Sequence, residues 1–215
     1  MRGDGPLRAI LFDLDGTVLD SAELIITAFR QTCRARLGRD IDRGAVLEAW
    51  SLPIRQRFRA LAPDQDEEEL AREYLRRYLA LHDRHARLYP AIPRVLDCLR
   101  ERGYRLGVVT SKRRATTRAA VDTFGLDRWF SVYIADEDVA RHKPDPEPVR
   151  AASSRLGVRP AEVLMVGDSP LDVAAGRAAG AWTAGALWGA MDPDALRAAG
   201  PTYLVEEPEG LLSLA

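Results

Sequence analysis

Cysteine is scarce in this 215-residue chain: Cys33 and Cys98 stand far apart in otherwise helical patterns. Two such residues cannot form a disulfide framework, and they fit small buried hydrophobes in a reducing compartment. Neither sign of charge dominates, since 31 Lys and Arg face 32 Asp and Glu for a formal net charge of −1. That balance excludes the basic excess that draws a protein to nucleic acid, and no block of like charges forms a tail or polybasic anchor. Long apolar runs are also missing. No uncharged stretch reaches the roughly 18 residues of a membrane span, and Met1-Arg2-Gly3-Asp4-Gly5-Pro6 lacks the apolar segment of a secretion signal. These absences predict a cytoplasmic protein with no nucleic-acid and no membrane partner. Internal repeats and low-complexity tracts are absent as well.

Short apolar runs that end in polar turns are present. Leu7–Leu14 runs into Asp13, Asp15 and Gly16; Tyr104–Val109 into Thr110-Ser111; Val132–Ala135 into Asp136; Val163–Val166 into Gly167-Asp168. Each reads as a buried strand delivering polar groups at its carboxyl end. Helical stretches separate them: Ile92, Val95, Leu96 and Leu99 stopped by Gly103, then Ala115–Phe124 stopped by Gly125, and Val149–Leu156 stopped by Gly157. The alternation predicts an α/β fold, a doubly wound parallel sheet whose ligand site lies beyond the carboxyl ends of its strands.

From Asp20 to Tyr89 no strand-like run occurs and helical spacing takes over. Asp20 and Glu23 form a candidate capping box ahead of Ile25, Phe29, Cys33 and Leu37, which recur every four residues before Gly38. Pro53 can open a helix carrying Ile54, Phe58 and Leu61, and Leu70, Tyr74, Tyr78 and Leu81 mark a longer one. The expected division is therefore a core of residues 1–19 and 90–215 with an all-helical cap of residues 20–89, inserted where it could act as a lid. His82 and His85 are three apart on the predicted helix with no third soft-metal ligand, so they are expected on the cap surface. Tyr74, Tyr78, Trp129 and Trp182 are expected to fill cores.

The chemistry concentrates in four segments. Asp13-Leu14-Asp15-Gly16-Thr17 sets two carboxylates two apart at a strand end, and side chains at that spacing point the same way. Like charges so close call for a shared hard cation, different protonation states, or both. Gly16 permits a tight turn whose amides can face an anion. Thr110-Ser111-Lys112 offers hydroxyls and N–H donors just before a helix, a natural phosphate cradle. Lys143-Pro144 contributes an ammonium that can neutralise phosphate and carboxylate together. Gly167-Asp168-Ser169-Pro170-Leu171-Asp172 adds two more hard oxygen ligands of the kind that suits Mg²⁺. Each segment alone also reads as an ordinary polar turn; the order of all four carries the information.

That order resembles the haloacid dehalogenase superfamily, in its phosphatase branch with a helical cap between the first two motifs. The resemblance runs from Leu7 to about Leu204. It implies that Asp13 is a nucleophile that becomes an aspartyl phosphate and that Asp15 is the general acid and base. It further implies that Asp13, the backbone carbonyl of Asp15 and Asp168 hold Mg²⁺, with Asp172 supporting the metal's water shell, while Thr110 and Lys143 bind the transferring phosphoryl group. Gly16 and Ser111 are the adjoining substrate-binding positions. In the cap, Ser51 stands where relatives often have glycine in a loop that touches substrate, and Arg55, with Arg57 and Arg59, could reach a second anionic group.

The implied partner is a small phosphorylated metabolite, handled by a monomer or homodimer. Asp20-Ser21 resembles phosphoglycolate phosphatases. Glu23-Leu24-Ile25-Ile26, Lys143–Val149 and Ala186-Leu187-Trp188-Gly189 resemble the bacterial pyrophosphatases of the same subgroup. Asp15 argues against carbon–halogen chemistry, which does not need a second carboxylate. In the related sugar-phosphate mutases a histidine typically lies ten positions after the acid/base aspartate, and here that place is Ile25. Receiver domains of response regulators share the acidic cluster, hydroxyl and lysine, yet a phosphorylation switch needs neither Asp15 nor a lid.

Overall fold

The computed structural model describes residues 6–48, 50 and 54–215. Ser51 and Pro53, with the roles expected of them, lie outside the described residues. The chain forms two compact units, one of the residues up to Asp20 together with Arg87–Ala215, the other Ser21–Ala86. In chain order the strands are β1 (Ala9–Phe12), β2 (Leu19–Asp20), β3 (Arg87–Leu88), β4 (Arg105–Val109), β5 (Val132–Ile134), β6 (Val163–Gly167), β7 (Trp182–Ala186) and β8 (Tyr203–Val205). The α-helices are α1 (Ala22–Leu37), α2 (Arg43–Glu48), α3 (Ile54–Leu61), α4 (Glu67–His85), α5 (Ile92–Glu101), α6 (Arg114–Phe124), α7 (Glu147–Leu156), α8 (Pro170–Ala179) and α9 (Pro193–Ala198).

Six strands of the first unit make one sheet in the order β5-β4-β1-β6-β7-β8, every pairing parallel. The doubly wound α/β sheet expected from the alternation is present. β1 is central and buried on both faces: Ile10 and Phe12 join one apolar cluster, Ala9 and Leu11 the other, all at 0% exposure. A strand covered on both sides must be apolar throughout, which is why its sequence shows no alternation. The chain builds outward from β1 through β4 to β5, then crosses to the opposite side at β6. The switch point of the sheet thus lies between β1 and β6, where a crevice opens at the carboxyl ends. Phe12 is level with Val108 of β4 and Val166 of β6, so the three strands end in step.

Four strands escaped the sequence reading: β2 and β3, at the ends of a segment expected to hold none, and β7 and β8 of the main sheet. β7, Trp-Thr-Ala-Gly-Ala, has few of the branched or aromatic residues that signal a strand, and β8 is a three-residue edge. β2 and β3 form a separate antiparallel pair, Leu19 opposite Leu88 and Asp20 opposite Arg87.

In the helical unit, α1, α3 and α4 enclose Ile26, Phe29, Cys33, Phe58 and Leu70, with Val46 from α2. Phe29 and Phe58 stack at 4.6 Å, and Tyr74 meets Phe58 edge-on at 6.3 Å. Deleting a ring so enclosed costs about 3–5 kcal/mol. Asp66 caps α4 by accepting from the amides of Glu68 and Glu69 at 2.9 and 3.3 Å. The expected capping box of Asp20 and Glu23 does not form. Ser21 is the N-cap of α1, Asp20 is committed to β2, and the Glu23 carboxylate pairs with Arg43. His82 is also not a surface residue, being 1% exposed and packed on Tyr78 at 5.8 Å, whereas His85 is exposed. Among the described residues no helix is long and apolar enough to cross a membrane.

Candidate active site

The residue after β1 stays in register, the Asp13 amide donating to the Val166 carbonyl at 2.8 Å. The chain then turns back on itself, with Gly16 N–H bonded to the Leu19 carbonyl at 2.8 Å and Val18 and Leu19 bonded to the Leu14 carbonyl. Gly16 takes φ +77°, and a Cβ there would lie 2.3 Å from an Asp168 carboxylate oxygen. Only glycine allows both that backbone angle and that approach. Thr17, fully buried, donates its hydroxyl to Asp168 Oδ1 at 3.2 Å and locks the two turns together.

Lys143, with a side chain only 4% exposed, joins the other carboxylates. Its Nζ lies 3.0 Å from Asp13 Oδ1 and 2.6 Å from Asp172 Oδ1, and it donates to the Val109 carbonyl at 3.4 Å. Asp172 is held from behind, accepting from Ser169 Oγ at 2.6 Å and the Ser169 amide at 3.2 Å at the start of α8. Thr110, buried at the end of β4, donates its amide to the Ile134 carbonyl and accepts from the Lys112 amide at 3.2 Å; Ser111 beside it is exposed. Lys112, which the sequence reading treated only as part of the cradle, reaches Asp15 instead, its Nζ 2.9 and 2.8 Å from the two carboxylate oxygens.

Asp13, Asp168 and Asp172 each offer a carboxylate oxygen within 4.8 Å of the others. Full ionisation of Asp13, Asp168 and Asp172 would leave two negative charges uncompensated by the single ammonium of Lys143. Burial pushes Asp13 up to about 7, with Asp172 and Asp15 adding to the rise and Lys143 opposing it. Burial likewise holds Asp168 well above the usual carboxylate range, reinforced by Asp13 and Asp172. Lys143 is shifted upward: burial alone would lower it, but Asp13 and Asp172 outweigh burial. Asp13 Oδ1 is buried, with the Lys143 ammonium 3.0 Å away as its partner. Three carboxyl groups crowded into one cluster beside a single ammonium, each with an oxygen within 4.8 Å of the others, fit a divalent cation of the Mg²⁺ type.

The fold thus gathers Asp13, Asp15, Gly16, Thr110, Asp168 and Asp172, from the carboxyl ends of β1, β4 and β6 and the turns that follow, with Lys143 from the segment between β5 and α7. Arg55 is on α3 of the helical unit, its Nη1 2.5 Å from Glu68, and Arg59 is bonded to Glu67 at 2.5 and 2.6 Å. Arg57 bonds the Trp50 carbonyl and lies 5.1 Å over its ring. Trp188 and Gly189, singled out in the sequence only as part of a resemblance, follow β7 and back the Gly16–Thr17 turn, Trp188 Nε1 donating to the Thr17 carbonyl at 2.9 Å.

The sequence profile of the haloacid dehalogenase-like hydrolases matches residues 10–186. A pyrophosphatase PpaX of Bacillus velezensis is 37% identical over 215 residues, covering 98% of this chain and 97% of the relative. A pyrophosphatase PpaX of Anoxybacillus flavithermus is 35% identical over 208 residues, covering 97% and 96%. A crystal structure from Lactobacillus plantarum, described as a candidate phosphoglycolate phosphatase, superposes with a TM-score of 0.88 at 26% identity, covering 98% of this chain and 100% of that one.

Proposed function

This chain belongs to the haloacid dehalogenase-like hydrolases, and from that membership and the geometry of its site we propose that it is a Mg²⁺-dependent phosphatase releasing phosphate from a small phosphorylated metabolite through an aspartyl phosphate on Asp13. The observation that carries the reading is Lys143 Nζ held between Asp13 and Asp172, with Asp168 completing the carboxylate cluster. Asp13, Asp168 and the backbone carbonyl of Asp15 would hold Mg²⁺, with Asp172 supporting its water shell. The cation would offset the repulsion between Asp13 and a phosphate dianion and stabilise charge on the phosphoryl oxygens.

Asp13 attacks phosphorus, the bond to the leaving oxygen breaks, and Asp15 gives that oxygen a proton. Lys143 and Thr110 hold the phosphoryl oxygens as charge builds. A water then attacks the acyl phosphate, Asp15 takes its proton, and phosphate departs, leaving Asp13 free. One group serves both halves because the base of the second step is the acid that was spent in the first. Gly16 and Ser111 supply neighbouring contacts to the phosphoryl group. Arg55, on α3, and Ser51 are assigned to the choice of substrate.

Two substrate classes fit, a small phosphomonoester such as phosphoglycolate and inorganic pyrophosphate. The names of the relatives at 37% and 35% identity favour pyrophosphate. Phosphate release with Mg²⁺ across phosphoglycolate, pyrophosphate, sugar phosphates and nucleotides, read as kcat/KM, tests the assignment. Sustained turnover of at least one compound supports it, and a single stoichiometric release followed by arrest would indicate a phosphoryl-storing module instead.

A further inference from the structure

Lys143 has an exacting place to reach and little support from regular structure. Its Nζ meets Asp13 and Asp172 at 3.0 and 2.6 Å, yet the residue lies on no strand or helix, in the segment 139–146 that leads from β5 to α7. A loop with a flexible four-carbon stem does not by itself fix an ammonium. The loop is held by Glu147. Its Oε1 accepts from the Ala140 amide at 2.9 Å, and its Oε2 accepts from the Arg141 amide and from Arg141 Nε, both at 3.1 Å. Its own amide donates to Asp145 Oδ1 at 2.9 Å, and the Asp145 amide donates to the His142 carbonyl at 2.8 Å. Residues 140–147 are thereby closed into a ring that contains Lys143. The Ala140 amide, then the Arg141 side chain, hold the Glu147 carboxyl below its ordinary range, so the clamp is ionised.

We propose that Glu147 is a positioning residue for the reaction, its carboxylate setting the loop so that the Lys143 ammonium arrives between Asp13 and Asp172. Glu147 is the first residue of α7, and Val149, Ala152 and Leu156 of that helix are buried against Ala9 and Leu11 of β1 and Val109 of β4. The helix is therefore seated on the same two strands that deliver Asp13 and Thr110, which makes it a fixed reference for the loop. A carboxylate at a helix N-terminus is favoured by the helix dipole, and its bonds to two successive amides are of the strong, charge-assisted kind. Asp13 and Asp172 attract only the tip of the lysine. When a phosphoryl group enters and competes for the ammonium, the anchorage of the backbone decides how far that tip moves. The inference rests on the phosphatase reading for what Lys143 does, not for what holds it.

Glu147→Gln, which keeps the shape and one acceptor, and Glu147→Ala test this on the full-length protein. Lys112 and Lys143 are the only lysines in the chain, so acylation of lysine side chains by acetic anhydride, followed residue by residue by mass spectrometry, reports on the site alone. Their side chains are 9% and 4% exposed, and both should label slowly in the wild type. In Glu147→Ala the labelling rate of Lys143 relative to Lys112 should rise at least about tenfold, as expected when charged hydrogen bonds that close a loop are lost, with Glu147→Gln in between. With Mg²⁺ present, kcat should fall by roughly the same factor and KM change by less than about threefold, because a displaced ammonium forfeits stabilisation as charge builds. An unchanged labelling ratio would overturn the proposal with the phosphatase reading intact. Labelling of both lysines in step, together with a lowered Tm, would also overturn it, since Glu147 would then support the fold at large. So would selective release of Lys143 with kcat unaltered. Should the wild type turn over no substrate, the phosphatase reading fails, and the labelling ratio still decides whether Glu147 seats Lys143.

Discussion

The carbonyl oxygen of Gly16 occupies the space that a side chain at position 189 would need: a Cβ on Gly189 would fall 1.8 Å from it. With Trp188 bonded to the Thr17 carbonyl next door, the loop after β7 presses directly on the turn that carries Asp13 and Asp15. The Asp13–Thr17 turn is therefore braced from two directions, by Asp168 and by residues 188–189.

Gly189→Ala should displace that turn, because its neighbour is backbone and cannot rotate away. A shift near 1 Å in reacting groups costs on the order of 100-fold in rate. The expected outcome is a large fall in kcat with helical and strand content unchanged by circular dichroism. Trp188→Phe removes one hydrogen bond and should cost only about 1 kcal/mol of stability. Wild-type kcat in Gly189→Ala would show that the turn holds its geometry without the brace.

Asp13→Asn should cut turnover below about one per cent, since an amide of nearly the same volume cannot act as an anionic nucleophile. It also removes one of three buried, mutually repelling carboxyl groups. The melting temperature in EDTA should therefore stay level or rise. Activity and Tm measured on one preparation separate loss of chemistry from loss of fold.

The strands that carry the site were legible in the sequence because parallel central strands must be apolar on both faces, and each ends in the polar residues it delivers. β7 and β8 were not, since Ala and Gly in one and three residues at an edge in the other give no periodic signal. His82 was misplaced for a related reason: a histidine's polarity says nothing about the aromatic wall, here Tyr78, that can bury it. Asp13, Asp15, Lys143, Asp168 and Asp172 were singled out through their order along the chain, and the fold brings them together. The pairing of Lys112 with Asp15 joins residues 97 positions apart and follows only from the sheet bringing β1 beside β4.

Cys33 gives a pH dependence with a definite sign. Burial, helped by Asp40 and opposed by Arg39, pushes its thiol from 9.0 up to about 11. In the unfolded chain the thiol ionises near 9.0, so from there up to about 11 the folded state binds more protons than the unfolded one. Stability attributable to Cys33 is thus complete below pH 9 and is lost as pH rises towards 11. Urea midpoints of the wild type should fall more steeply over that interval than those of Cys33→Ala, whatever the offset from the cavity. Parallel slopes would remove the thiol as the cause.

Asp168 provides the direct test of the cation. Its carboxylate is buried, accepts from Thr17, and lies within 4.8 Å of Asp13 and Asp172, which raise its affinity for a proton and would do the same for a hard metal ion. Chelation should stop turnover in the wild type, and added Mg²⁺ should raise Tm, because an ion bound only by the folded state stabilises it by mass action. Asp168→Asn keeps the shape but removes a charged ligand, so the Mg²⁺ concentration for half-maximal activity should rise by roughly 10–100-fold, with activity partly regained at high metal. The same variant should lose most of the Mg²⁺-dependent gain in Tm. Asp172→Asn should shift the metal dependence less, since Asp172 already spends its two oxygens on Lys143 and Ser169. An unchanged Mg²⁺ titration in Asp168→Asn, by both activity and Tm, would place any cation elsewhere.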